Sequence, residues 1–123
     1  MRAVKNHYLY IALLTFFLFG ACGPQPSYKP SSINPDFPVP GDARLQDGEA
    51  KNPKIEKYAA YKWTKSNEIQ SISAAYVDEI ERNGWKERIE AQMGALRVFE
   101  KDGSIIWITT HDDFFTLAQL KTD

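Results

Sequence analysis

Few side chains in this 123-residue chain do chemistry near neutral pH: one cysteine, Cys22, and two histidines, His7 and His111. A lone cysteine permits neither an intramolecular disulfide nor a Cys-rich zinc site. If His7 is removed with a leader, one histidine remains, and sites built on two or three imidazoles are excluded. A Ser-His-Asp arrangement would need His111 as base, and the nearest serine, Ser104, sits in no nucleophile-elbow motif. His111-Asp112-Asp113 offers carboxylates to a hard cation, yet no Asp-x-Asp-x-Asp-Gly loop surrounds them. Glu87 with Glu90, or Asp78 with Glu81, would serve a glycosidase only if the two carboxyls faced each other across a cleft. The first pair falls on a charged strand and the second on the wet face of a helix. There is no Gly-rich phosphate loop. The expectation is therefore a non-catalytic protein with no metal and no cofactor. Its rival is a hydrolase that uses His111 and a nearby carboxylate.

Cys22 gains its meaning from what precedes it. Arg2 and Lys5 form a basic head without acids, and residues 8–19 (YLYIALLTFFLF) then run apolar with Thr15 as the one interruption. Twelve residues are too few to cross the roughly 30 Å of a bilayer core, but they suit the core of a signal peptide. The run ends Leu18-Phe19-Gly20-Ala21-Cys22-Gly23. This ending resembles the lipobox of bacterial lipoproteins, an aliphatic residue and two small ones before a cysteine. Gly20, Ala21 and Cys22 match, and Phe19 stands where leucine is usual. The resemblance implies a diacylglyceryl group on the Cys22 thiol, cleavage before Cys22, and acyl chains such as palmitate in the membrane. Residues 1–21 are then signal peptide. Two chains anchor stably where one holds marginally. Gly23 in place of aspartate favours the outer membrane in a cell that has two.

The 15 cations and 16 anions are nearly balanced, which leaves no basic footprint for nucleic acid. Loss of the leader takes Arg2 and Lys5 and no acid, so the net charge moves from −1 to −3. Six of the seven prolines then fall between Pro24 and Pro40. That density predicts a polyproline-type spacer, residues 22–36, reaching up to about 40 Å from the bilayer. One domain, residues 37–123, follows it.

Within the domain, residues 43–46 predict a short strand, and residues 55–64 a longer one with Ala59, Tyr61 and Trp63 on one face. Ile69, Ile72, Tyr76 and Ile80, with Val77, recur at helical spacing. Ser71 or Ser73 can cap that helix, Asn83-Gly84 stops it, and Trp85 packs back on Ile80. Asp78 and Arg82 are placed to pair along it. Residues 96–100 and 105–109 flank Lys101-Asp102-Gly103 as a hairpin. A three-residue loop pairs Val98 with Ile106 and Leu96 with Ile108; a two-residue loop pairs Phe99 with Ile106 and Val98 with Trp107. The first is preferred, because it gathers four aliphatics beneath the helix. Residues 114–120 add a last strand. The predicted fold class is α+β: a two-layer sandwich of about four or five antiparallel strands covered by one helix, in the order β-β-α-β-β-(β).

Under the preferred register, Arg97, Phe99, Ile105 and Trp107 share the face away from the helix. Aromatics with an arginine are enriched at protein interfaces. The expected protein is a membrane-anchored cell-envelope lipoprotein, facing outside the cytoplasm. Its small domain resembles other envelope lipoprotein domains of unassigned role and binds or scaffolds another envelope protein. An inhibitor or immunity-type lipoprotein is a further alternative.

Overall fold

A computed structural model describes residues 27–122. The leader and Cys22 lie outside the described residues. Eight strands and one α-helix follow in order: β1 (Tyr28–Pro30), β2 (Pro38–Pro40), β3 (Arg44–Gln46), β4 (Ile55–Lys62), α1 (Ala74–Arg82), β5 (Lys86–Glu87), β6 (Leu96–Lys101), β7 (Ser104–His111) and β8 (Phe114–Leu120). β1 and β2 form a two-stranded sheet, and the rest form a six-stranded antiparallel sheet ordered β3-β4-β8-β7-β6-β5. Among the described residues no helix is long and apolar enough to cross a membrane.

The expected α+β sandwich is corrected: the protein is mostly β, 43% strand and 12% helix, in two antiparallel sheets. The reason is one of dimensions. A nine-residue helix is about 14 Å long, whereas six strands at about 4.8 Å spacing span about 24 Å. α1 therefore closes only part of the sheet, and the proline-rich hairpin closes much of the rest. Phe37 and Val39 are fully buried, and Phe37 meets Trp85 and Phe99 edge-on at 5.3 and 6.0 Å. Within the segment expected as spacer, residues 22–36, Ser31 and Ile33 are buried and Tyr28–Pro30 pair with Pro38–Pro40, so it joins the folded unit from Tyr28 onward. Its prolines are compatible with a hairpin because the pairing uses the remaining donors: Ser31 N–H donates to Phe37 O and Gly41 N–H to Ser27 O.

α1 starts where Ser73 Oγ accepts the Tyr76 amide, and ends at Asn83. Gly84 is left-handed at φ +95°. Its amide donates to Glu81 O and the Trp85 amide to Ile80 O, the reciprocal pair that closes a Schellman exit. Trp85 turns back into the core as its position suggests, and its Nε1 donates to Asp36 O. Arg82 pairs with Glu79 rather than Asp78. Ile69, although at helical spacing, precedes the helix and stands 92% exposed.

The β6–β7 hairpin has the two-residue loop, with Lys101 opposite Ser104, Phe99 opposite Ile106 and Val98 opposite Trp107. Asp102 and Gly103 both have positive φ, +50° and +84°. Two such residues twist the chain in the sense of the flanking strands, which favours this loop over the three-residue one. The preferred register was therefore one residue off along β6.

Candidate functional site

That one-residue shift decides which side chains share a face. On β7 the alternation is as expected: Ile106 and Ile108 enter the core, Ile105 and Trp107 point away. On β6 it inverts. Phe99 is fully buried opposite Ile106 in the core, and Arg97 shares its side of the strand. The four residues expected on one binding face are thus split two and two. Arg97 is engaged as well. Its guanidinium grips Glu87, with Nε at 3.1 Å from Oε1 and Nη2 at 2.9 Å from Oε2. Glu87 lies opposite Phe99 on β5, so the pair closes the sheet's flank on the core side.

The outer face keeps a different set. Tyr58, Ala118, Trp107 and Val98 stand side by side across β4, β8, β7 and β6. A second row, Ala60, Thr116, Thr109 and Leu96, runs beside it. The helix packs on the opposite face, where Tyr76 meets Phe115 at 6.3 Å. Over the outer face, Gly48 comes close to Tyr58 and Ala60, and Gln92 Oε1 accepts the Val98 amide. Trp107 remains half-buried between these approaches. Tyr58 and Val98 become its neighbours only once the register is known, and no motif in the sequence marks them.

The residues weighed for catalysis are not assembled. Ser104 and His111 are the two ends of β7, seven residues and therefore about 23 Å apart. The His111 ring stacks on Phe114, centroids 4.4 Å apart, and the single hydroxyl hydrogen of Ser66 Oγ is shared between the carbonyls of His111 and Phe114, each 2.7 Å away. Asp112 Oδ1 accepts the Glu68 amide, fixing the loop before α1 against the β7–β8 turn. Among the described residues no group of three or more His, Cys, Asp or Glu side chains is placed to hold a metal ion. Glu90 is exposed, and its hydrogen bond from Arg88 holds it below the ordinary carboxylate value; the same bond, first among several causes, raises Arg88. Asp78 and Glu81 lie exposed on α1.

One cleft, of about 660 Å³, opens at the N-terminal end of α1, between Ser27 and Tyr28 on one side and residues 70–76 on the other. Its floor is aromatic: Tyr28 stacks on Tyr76 at 5.8 Å, and Trp63 meets Tyr76 at 6.3 Å. Ser71 Oγ on its lining is buried without a hydrogen-bond partner among the described residues, while several of its other polar groups are engaged. Trp63 Nε1 donates to Asp42 Oδ1 at 2.9 Å, Lys65 lies 3.9 Å from the same carboxylate, and Tyr76 donates its hydroxyl to Pro38 O at 2.8 Å. Burial, and then the nearby Tyr61 and Tyr28 phenols, push the Tyr76 hydroxyl well above its ordinary value. A phenol so held is a neutral strut, not a base. The sequence offered no sign of this cleft beyond the two candidate caps, Ser71 and Ser73. Compared with known protein families, with characterised proteins and with solved structures, the chain matches none.

Proposed function

We propose that this chain is a lipid-anchored protein of the bacterial cell envelope, fixed through Cys22 and facing outside the cytoplasm, whose β domain binds another envelope protein without catalysing a reaction. The anchor half of the reading rests on the leader that ends at the sole cysteine. The binding half rests on one observation: α1 and the β1–β2 hairpin cover one face of the sheet, and on the other Trp107 stays partly exposed in an apolar row whose Val98 and Ala118 are themselves buried. Aromatic anchors in such settings are where binding energy concentrates, at about 2 kcal/mol or more each. The binding surface proposed centres on Trp107, with the partly exposed Tyr58, Thr109 and Thr116 of the same face, in place of the set that included Arg97 and Phe99.

A photo-crosslinking residue at Thr109, on the same face as Trp107, tests it in intact membranes. A discrete adduct is expected from position 109 and none from position 81 on the helix. Trp107→Thr should reduce the adduct about thirtyfold. Equal adducts from both positions, or no effect of the Trp107 change, would sink the binding reading. Fatty-acid labelling tests the anchor separately: Cys22→Ser should abolish the label, and equal label on both proteins would refute it.

A further inference from the structure

The two ends of the six-stranded sheet are unlike. One end carries the Asp102-Gly103 turn, the start of β4 and the C-terminal residues, since Ile55 lies opposite Leu120 and the Lys121 amide donates to Lys54 O. Its exposed side chains include Lys54, Asp102 and Lys121. The other end carries the exit of β4, the Asp112-Asp113 turn and the start of β6, since Trp63 N–H donates to Asp113 O and Thr110 N–H to Ala95 O. The large apolar side chains that stand most exposed among the described residues gather toward this second end. Ile69 (92%) is in the loop held to that turn, and Met93 (81%) bridges to Leu96 where β6 begins. Leu45 (60%) lies opposite Tyr61 near the exit of β4, and Ile89 (72%) leads from β5 toward Met93.

The chain enters from the same end. Ser27 lines the cleft together with Trp63, Lys65 and Ser71. Four residues lie between Cys22 and Ser27, five steps along the chain and a reach of at most about 18 Å when fully extended. Because β1 begins at Tyr28, the proline-rich stretch does not hold the domain at a distance. An acylated Cys22 would keep Ser27 within about 18 Å of the bilayer surface, and Ile69 directly precedes the Gln70 and Ser71 that line the cleft with Ser27.

We infer that the end of the domain bearing Ile69 and Met93 rests on the lipid surface, with Ile69 inserted at the interface. The inference depends on acylation at Cys22. A lipid surface is the occupant because the short tether holds this end near the bilayer and the large side chains most exposed there are apolar. Glu68 adjoins Ile69 and its amide donates to Asp112 Oδ1, so carboxylates border Ile69 and the contact draws on apolar insertion and not on attraction to anionic lipid. It would also orient the outer sheet face sideways, along the membrane plane.

The test uses the full lipidated protein in phosphatidylcholine vesicles. With Cys22 acylated, Ile69→Cys supplies one free thiol for an environment-sensitive fluorophore, and Lys121→Cys supplies the control at the far end. A quencher carried on the lipid chains should quench the label at position 69 at least threefold more than the label at 121. A water-soluble quencher should show the reverse order. Acyl chains at Cys22, counted by intact mass, are measured on the same samples. Acylated protein whose position-69 label remains open to the aqueous quencher would overturn the membrane contact and leave the anchor standing. Absence of acyl chains on Cys22 would overturn both. Because position 69 is exposed and outside the helix, the substitution leaves the fold intact; circular dichroism matching the parent confirms this.

Discussion

Along β7, Ile106, Ile108 and Thr110 are at most 1% exposed, whereas Ile105, Trp107 and Thr109, each one residue away, are only half-buried. The two series are equally apolar and equally suited to a strand. What separates them is cover. On one side α1, the β1–β2 hairpin and Trp85 supply a second layer; on the other, among the described residues, Gly48 and the 88–93 stretch cover it less completely, enough to bury Ala60, Ala118 and Val98 but not Trp107. Burial here follows from what is laid over a face, not from the residues on it. The same strands can therefore serve stability on one side and association on the other.

The contrast breaks most readily at Phe37, which belongs to the cover and not to the sheet. It is fully buried and touches Trp85 and Phe99. Phe37→Ala should cost about 3–5 kcal/mol, the usual penalty for emptying an aromatic site in a packed core. Urea unfolding of the protein with its hairpin intact would measure it. A loss below about 1 kcal/mol would mean that the hairpin merely lies on the domain and that the spacer reading of residues 22–36 extends further than the fold indicates.

A second test sharpens the comparison through pH. Tyr76 ties α1 to the hairpin by donating its hydroxyl to Pro38 O, and Tyr76→Phe should cost about 1–2 kcal/mol by leaving that buried carbonyl unpaired. Burial raises the Tyr76 hydroxyl above its ordinary value near 10. The folded chain therefore keeps a proton that the unfolded chain releases, and stability should be intact below pH 10 and fall as pH climbs past it. Tyr28, raised by burial first and by Glu79 next, acts in the same sense, more weakly since it is partly exposed. Unfolding free energies of both proteins at pH 8 and pH 11 should show the decline shrink in the Phe variant. An equal decline in both would remove Tyr76 from the account.

How far the sequence could be read follows the same line of argument. Alternation along β4 puts Ala59, Tyr61 and Trp63 on one face, and that face lies in the core. The helix was legible through Ser73 and Gly84, because caps are local chemistry. The strand at residues 114–120 forms as expected. The register of β6 was not legible: Leu96, Val98 and Phe99 are all apolar, so a shift of one residue leaves either pattern plausible. The turn settled it, through the positive φ of Asp102 and Gly103. Ile69 misled by spacing, because the chain passes through φ +58° at Ser71 before the helix can begin. The proline-rich hairpin was read as spacer because proline count reports missing donors and does not report which carbonyls find partners. The candidate face inherited the register error, and so Arg97 and Phe99 were grouped with Trp107 although they lie on the other side of the sheet.

The smallest expected effect is the most discriminating. Trp107 is the largest side chain on the outer face, and a strand residue there contributes through neighbours such as Val98 and Ala118, about 0.2–1 kcal/mol for each cross-strand pair. Trp107→Thr keeps a β-branched residue on the strand, so its cost to stability should stay within about 1 kcal/mol. Set beside the loss at Phe37, that difference would measure what the fuller cover is worth. The variant should then melt almost as the parent does while its crosslinked adduct disappears, which assigns the tryptophan to association. A loss of about 3 kcal/mol or more at Trp107 would mean instead that the outer face is a second core, closed by the 47–54 and 88–93 segments. In that case the two faces would be alike in kind, and the binding surface would have to be sought elsewhere on the domain.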